Sequence, residues 1–265
     1  MGRTSMSNEQ KIYKPKEFKF GAMGDTHLAS NYEHLTALNE FYDELADRGV
    51  TKVFHTGNYL EGEAPFNKNE VKAFGFEGQA GYFVVNYPKR TGINTYYIDA
   101  HEHEGWYRNR EGISVGKRVE QTARDAGRTD LHWLGEIEAD MVLPLAGGDV
   151  VIRLLHPGGG SKTSVSLAGQ QIVDSYADKD RPHILLVGHF HKCDYLPEYR
   201  NVHIIQTGSF QQQSMFMRLK NLRAAVGGWV VSITHSSEGR LRVSAEYLHY
   251  ASKIWSPRKT HIMEV

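Results

Sequence analysis

The sequence predicts one α/β domain in which two packed mixed β-sheets are flanked by helices, an αββα sandwich. Three observations predict it. The chain opens as strand, helix, strand, the pattern of a right-handed crossover between parallel strands. Its later half consists of short apolar runs separated by glycine- and serine-bearing turns, which read as antiparallel β-structure. Ligand-type side chains also recur just past the ends of predicted strands, where the loops of an open α/β sheet gather a site. At 265 residues the chain is long enough for a single large core.

Residues 1–16 are polar and read as a flexible N-terminal segment ahead of a single domain over 17–265. Residues 17–23 alternate around Phe18, Phe20 and Ala22, the period of a half-buried strand. Over 32–48, Leu35, Leu38, Phe41, Tyr42 and Leu45 recur at helical spacing, and Gly49 ends the run. Residues 51–56 form a second strand, closed by Gly57-Asn58. A polar loop over 59–68 leads to a helix carried by Val71, Phe74, Tyr82, Phe83 and Tyr87 and stopped at Pro88. A third strand over 95–98 runs into Asp99-Ala100-His101-Glu102-His103-Glu104-Gly105-Trp106, and a helix covers 115–126. Residues 131–145 and 150–155 read as strands joined across Ala146-Gly147-Gly148-Asp149. Gly158-Gly159-Gly160 precedes a helix over 167–176. The unbroken apolar run 184–187 is a buried strand stopped at Gly188, and 202–206 is another. Strands over 229–234 and 241–247 close the chain as a hairpin across Ser236-Ser237-Glu238-Gly239.

Lys+Arg and Asp+Glu each number 31, so composition gives no overall electrostatic footprint for nucleic acid or an anionic membrane. The single cysteine, Cys193, excludes an internal disulfide and fits a reducing compartment. No apolar run approaches the roughly 20 residues of a membrane span, and the N-terminus lacks the apolar core of a signal peptide. The expectation is a cytoplasmic protein with no membrane partner.

The ligand-type residues are Asp25 and His27, Asn58, the Glu102/His103 pair, His156, and His189 with His191. In an extended segment residues two apart point the same way, so His189 and His191 are predicted to face one point. Neutral imidazole is the commonest metal ligand. The donors suffice for two divalent ions, with positions left for water or substrate. His34, His55, His132, His203, His235, His249 and His261 read as structural.

The ordered set Asp25-x-His27, Gly57-Asn58, Glu102-His103-Glu104, His156 and Gly188-His189-x-His191 resembles the calcineurin-like metallophosphoesterases, with uncharacterised phage and bacterial members the nearest match. The likeness spans residues 18–191. It implies a metal-dependent phosphoesterase that attacks a phosphodiester, nucleic acid or nucleotide, with water activated between two metals. By the family's logic Asp25, His27 and His191 hold one ion, Glu102, His156 and His189 the other, and Asn58 lies between them. His103 is then the catalytic histidine. Manganese is the first expectation for the ions, with iron, zinc and magnesium as alternatives. The chain departs from the family twice. Asn58 replaces the aspartate that bridges the metals, and Glu102 replaces the asparagine before the catalytic histidine. Amide and carboxylate have changed places, which predicts a weaker second metal. The other register would make His101 catalytic and put Ala100 at the asparagine position. The rival functions are a phosphomonoesterase acting on a nucleotide or phosphoprotein, and an inactive binding or assembly module.

Glu104 reads as a partner orienting a histidine. Trp106, Tyr107, Arg108 and Arg110 read either as an ordinary loop anchored by an aromatic, or as a substrate-binding wall in which Trp106, Arg108 and Arg110 stack a base or pair a phosphate. Gly158-Gly159-Gly160-Ser161-Lys162-Thr163 lacks the Gly-Lys-Ser/Thr order of a nucleotide-binding loop and reads as a turn. Met215, Phe216 and Met217 read as core, and Arg218, Lys220 and Arg223 as a solvated face.

Overall fold

The first sheet grows outward from β1 (Glu17–Met23), whose last four residues are buried. It pairs in parallel with β2 (Lys52–His55), which pairs with β3 (Asn94–Asp99), and that with β4 (Leu131–Glu136). On its other side β1 is antiparallel to β10 (Gly227–His235), and β11 (Leu241–His249) forms the edge. The second sheet runs in the order β5 (Glu138–Leu145), β6 (Gly148–Leu155), β7 (Ile184–Val187), β9 (Val202–Thr207), β8 (Cys193–Tyr199). Here β6, β7 and β9 are parallel, and β5 and β8 are antiparallel edges. This computed structural model describes residues 15–65, 67–160 and 164–250.

The sheets bury a common apolar layer. Phe20, Phe54 and Ile98 of the first face Ile152, Leu154, Ile184 and Ile205 of the second. Each such side chain stabilises the fold by roughly 1.5–3 kcal/mol on leaving water. Outside the first sheet lie α1 (Leu35–Asp47), α2 (Gly75–Asn86) and α4 (Val115–Asp125), packed on Val53, Tyr97 and Leu131. α1 buries Leu38, Phe41, Tyr42 and Leu45, the face its spacing predicts, and His34 caps it by accepting from Ala37 N at 3.1 Å. α5 (Leu167–Ser175) covers the second sheet through Val173, against Leu185 and Ile204. The expected αββα layering is therefore present. No helix among the described residues is long and apolar enough to cross a membrane.

Four readings change. Residues 131–145 are not one run: the chain leaves the first sheet at Glu136 and enters the second at Glu138. The switch is Ile137, at φ 65°, pinned by its N–H to Asp99 O and its carbonyl to His156 N. Val71 belongs to no helix but bridges Ser30, and Phe74 precedes α2 fully in solvent reach at 68 % exposure. The segment after β3 becomes a helix, α3 (Glu104–Glu111), and not a loop. Met215 and Phe216 sit exposed on a short helix, α6 (Met215–Leu219), while Met217 alone of the three is buried. Of the N-terminal segment only Pro15 and Lys16 are described. Both are tied down, the Pro15 carbonyl accepting from Ala146 N and that of Lys16 from His235 N. Ser161 to Thr163 and His261 fall outside the described residues.

Candidate metal centre

The carboxyl ends of β1, β2, β3, β6 and β7 meet at one edge of the sandwich, and each delivers part of the site. Past the strands the loops keep pairing: Asp25 N donates to Gly57 O, His27 N to Asn58 O and Leu28 N to Tyr59 O, each at 2.9 Å. That pairing forces sharp turns. Asp25, His27, Asn58, His189 and His191 all take left-handed backbone conformations, with φ between 46° and 76°. For side chains with a Cβ such conformations cost about 1–3 kcal/mol each. Five of them at one place mark a site held against its local preference. The same turns overturn the extended-segment argument for Gly188-His189-Phe190-His191: His189 and His191 do not face one point but serve two neighbouring groups.

The first group is Asp25, His27 and His191. His27 Nε2 lies 3.2 Å from His191 Nε2, and Asp25 Oδ1 lies 3.4 Å from His191 Nε2 and 3.9 Å from His27 Nε2. Ligand bonds of about 2.1 Å in tetrahedral geometry put donor atoms about 3.4 Å apart. Two imidazole nitrogens this close share at most one proton between them, whereas a single cation satisfies both. The second group is Glu102, His156 and His189. Glu102 Oε2 is 3.5 Å from His156 Nε2, and Glu102 Oε1 is 3.2 Å from His189 Nδ1. Asp25 joins the groups: its Oδ2 accepts His189 N at 2.9 Å and its Oδ1 accepts Asn58 Nδ2 at 3.2 Å.

Four rings are locked so that one nitrogen faces the site with its lone pair. His27 Nδ1 donates to Glu61 Oε2 at 3.0 Å, His156 Nδ1 to Thr56 O at 2.7 Å, and His189 Nε2 to Gly159 O at 2.6 Å. His103 Nδ1 donates to Glu61 O. An acceptor on one ring nitrogen fixes the tautomer and raises the basicity of the other. Two atoms aimed inward, His156 Nε2 and Asn58 Oδ1, are buried with no hydrogen-bond partner. Buried polar atoms are rarely left so. The donor set thus fits divalent cations.

The charge balance points the same way. Burial would raise the Asp25 pKa, but the histidines around it, His191 foremost, hold it down to about 2. Burial opposes ionisation of Glu102 as well, yet His156 and His189 keep its pKa below the usual carboxylate value. At His156 burial is outweighed by Glu102 and Asp25, and the pKa is raised. The carboxylates recruit a proton where a metal would sit. Burial drives His27 well below the ordinary histidine value and His103 to about 4.

Every residue assigned to metal by the sequence is at this edge. His103 lines the pocket, its ring edge-on to His27 at 4.4 Å. His101 stands outside, its Nδ1 3.2 Å from Glu102 Oε2 and its side chain 44 % exposed. Trp106, Arg108 and Arg110 are elsewhere. Trp106 packs against the core, Arg108 pairs with Glu136, Arg110 pairs with Glu111, and none of the three lines the pocket. Glu104 orients no histidine; it is fully buried and accepts Leu60 N and Ala100 N, bracing the loops that carry Asn58 and Glu102. The histidines read as structural behave so where described: His55 bonds Thr26, His132 stacks on Tyr96 and His203 on Tyr195. Sequence reasoning missed Glu61. It holds His27 and is itself held by Asn67 Nδ2 at 2.9 Å and Gln211 Nε2 at 3.1 Å. It stands three residues past Asn58 in a polar loop, with no periodicity or paired motif to signal it.

No family model and no curated protein matches the chain. Solved structures resemble it at low identity. Vps29 from Chaetomium thermophilum is 11 % identical, with 88 % of this chain and 98 % of that one covered and a TM-score of 0.37. A predicted phosphoesterase from Streptococcus pneumoniae is 14 % identical, with 88 % and 98 % covered and a TM-score of 0.36. A dimetal phosphatase from Danio rerio is 10 % identical, with 89 % and 100 % covered and a TM-score of 0.43. At this distance none of them bears on function, which rests on the residues.

Proposed function

We propose that the chain is a metal-dependent phosphoester hydrolase with a dinuclear site, acting on a phosphodiester. One observation carries the reading: two adjacent His/carboxylate groups meet at one edge, with the His27, His156 and His189 rings each anchored through one nitrogen and with His156 Nε2 and Asn58 Oδ1 buried and unpartnered between them. Asp25, His27 and His191 would hold one divalent ion, and Glu102, His156 and His189 the other, with Asn58 Oδ1 beside both. Such a pair, when bound, neutralises phosphoryl charge and lowers the pKa of a water between its members. Manganese, iron, zinc and magnesium all suit the donor set to differing degrees, manganese first.

The chain's own residues supply the rest. Glu70 and Glu102 line the pocket, so without cations it repels an anionic ester. His103 faces the same pocket with Nδ1 anchored on the Glu61 carbonyl, and Nε2 would be the nitrogen that exchanges a proton with substrate. Burial keeps it neutral near pH 7, and an arriving phosphate anion raises its pKa. The proton taken up with substrate is then in place for the leaving oxygen. Phe190, Phe216 and Met217 wall the pocket of about 370 Å³ with apolar surface, which favours an ester bearing organic groups over a bare monoester. Cys193, unpaired, suits a reducing compartment such as the cytoplasm.

A second reading has its own observation. Asn58 donates to Asp25 where a bridging carboxylate would carry charge, which suits a metal-binding module without turnover. Elemental analysis together with a phosphoester panel decides between them. The hydrolase reading expects metal-stimulated cleavage of bis-p-nitrophenyl phosphate that exceeds cleavage of p-nitrophenyl phosphate. Two bound metals with no turnover under any of the four ions would establish the module instead.

A further inference from the structure

A second cavity, of about 570 Å³, lies on the segment that also walls the metal pocket, and Gln213, Arg218, Asn221 and Arg223 line it. The two cavities interleave along that segment. Ser214, Met217 and Leu222 face the metal pocket, while their neighbours Gln213, Arg218, Asn221 and Arg223 face the second cavity. Gln213 Nε2 donates to Leu222 O at 2.6 Å, closing the segment into a compact wall. His34 N donates to Phe210 O at one end of the wall, and Ala225 N donates to His191 O at the other, so it is anchored directly on a candidate ligand.

The arginines are unusual for this chain. Arg48, Arg90, Arg108, Arg128 and Arg153 each hold a carboxylate. Arg218 and Arg223 have no ion pair among the described residues, although both are exposed and face a cavity. Two unpaired guanidinium groups with two amide side chains form a set of hydrogen-bond donors suited to phosphate oxygens. Phe216, 48 % exposed, lies on the same segment two residues before Arg218, and with Phe190 it lines the metal pocket. The exposed Phe216 ring, with the half-buried Phe190 ring in the same pocket, suits a nucleobase, since every base has a face to stack.

We propose that the Arg218/Arg223 cavity is a second phosphate subsite, and that the substrate is a short single-stranded oligonucleotide: one phosphodiester at the metals, its base on Phe190 or Phe216, and a neighbouring phosphate on the arginines. This rests on the hydrolase reading for its chemistry but not for its binding. A phosphopeptide fits less well, because it brings one phosphate and no base for the aromatic wall.

The test compares the wild type with the Arg218→Ala/Arg223→Ala double variant, with Mn²⁺ supplied, on hexathymidylate, bis-p-nitrophenyl phosphate and a phosphoserine peptide. Both arginines are exposed, so the fold is not at stake; thermal unfolding confirms this. Expected is a fall of at least about tenfold in kcat/KM on the hexamer relative to the small diester. The log–log salt slope for the hexamer should also shrink by about 1.4, the value for two lost single-strand phosphate contacts. An equal effect on both diesters overturns the subsite, as does a wild-type preference for the phosphopeptide. If no ester is cleaved at all, the hydrolase reading fails, and the subsite is judged by anisotropy of labelled hexathymidylate. Binding weakened tenfold in the double variant upholds it, and absence of wild-type binding sinks it.

Discussion

Asn58 is the residue on which the site's charge turns. Its amide donates to Asp25 Oδ1 at 3.2 Å, so in the metal-free protein it relieves a carboxylate that is wholly buried. Asn58→Asp replaces that bond with two acids in contact, a pair that resists double ionisation. The metal-free variant is expected to lose about 1–3 kcal/mol of stability, as for a buried polar group deprived of its partner. The same acid gives a bridging position its charge, so the second equivalent of Mn²⁺ should bind at least about tenfold tighter. Denaturant melts in chelator and calorimetric metal titration measure the two effects, and a variant unchanged in both would remove Asn58 from between the metals. Glu61 acts one step back. Losing its bond to His27 frees the ring, and Glu61→Ala should weaken metal binding by about 10- to 100-fold. Equal affinities in a titration would show the bond to be structural only. This residue was not legible in the chain because a lone glutamate in a polar loop carries no pattern. The ligands were legible because their spacing inside short motifs and their order along the chain are properties of sequence.

At the scale of elements, what could be read was whatever the apolar pattern dictates. β1 and β7 are recovered to the residue, since alternation and an unbroken apolar run are direct images of one buried face and of two. β8 was not recovered. It is a half-exposed edge containing Pro197, whose ladder depends on β9 rather than on its own side chains. α3 went unread for a related reason: six of its eight residues are charged, asparagine or glycine, and it is held by Glu104 and Tyr107 packing inward. Nor could the left-handed turns that seat the ligands be foreseen, because strain is imposed by neighbouring loops. Gly188 shows how tight that seating is. A Cβ there would meet Thr56 O at 2.7 Å and His156 Nδ1 at 2.9 Å, at the junction of the β7 and β2 ends. Neither neighbour can give way without moving a ligand or its anchor. Gly188→Ala is expected to destabilise the fold by about 1–3 kcal/mol, the range for overpacking a well-filled site. It should also lose the second metal before the first, since His156 belongs to that group. Stoichiometry by elemental analysis tests this, and an alanine variant holding both metals would contradict it.

For the whole molecule, the sandwich joins parallel strands of two sheets at one edge, and the acids that brace this edge lie under it. Burial raises Asp99 to about 6 and Glu104 to about 8, against ordinary values of 3.8 and 4.5. A carboxyl raised on folding contributes stability that is fully present below its unfolded pKa and is lost as pH rises through its folded one. Buried histidines held below their ordinary value, His27 and His103 among them, work in the opposite sense below about pH 6.5, and Glu61 is raised to about 8 like Glu104, so the metal-free protein should lose stability above about pH 7 as pH rises through these folded carboxyl values. Asp25, held down to about 2, works in the opposite sense, but its contribution is complete above the ordinary value of 3.8 and leaves that window untouched. Metal binding has the reverse slope, because the imidazoles and carboxylates must be deprotonated to ligate. A divalent ion at 100 times its Kd adds about 2.7 kcal/mol per site. The gap in melting temperature between Mn²⁺ and chelator should accordingly widen from pH 5 to pH 8, while the chelated curve falls only above about pH 7. In Glu104→Gln, which cannot ionise, the chelated curve should fall less steeply between pH 7 and 9, Glu61 still titrating there, while starting lower, since one amide loses its acceptor. Thermal unfolding across pH in both conditions reads all three outcomes. A gap independent of pH would mean that the histidine and carboxylate groups at the strand ends do not bind the ion, since ligation by these side chains releases protons.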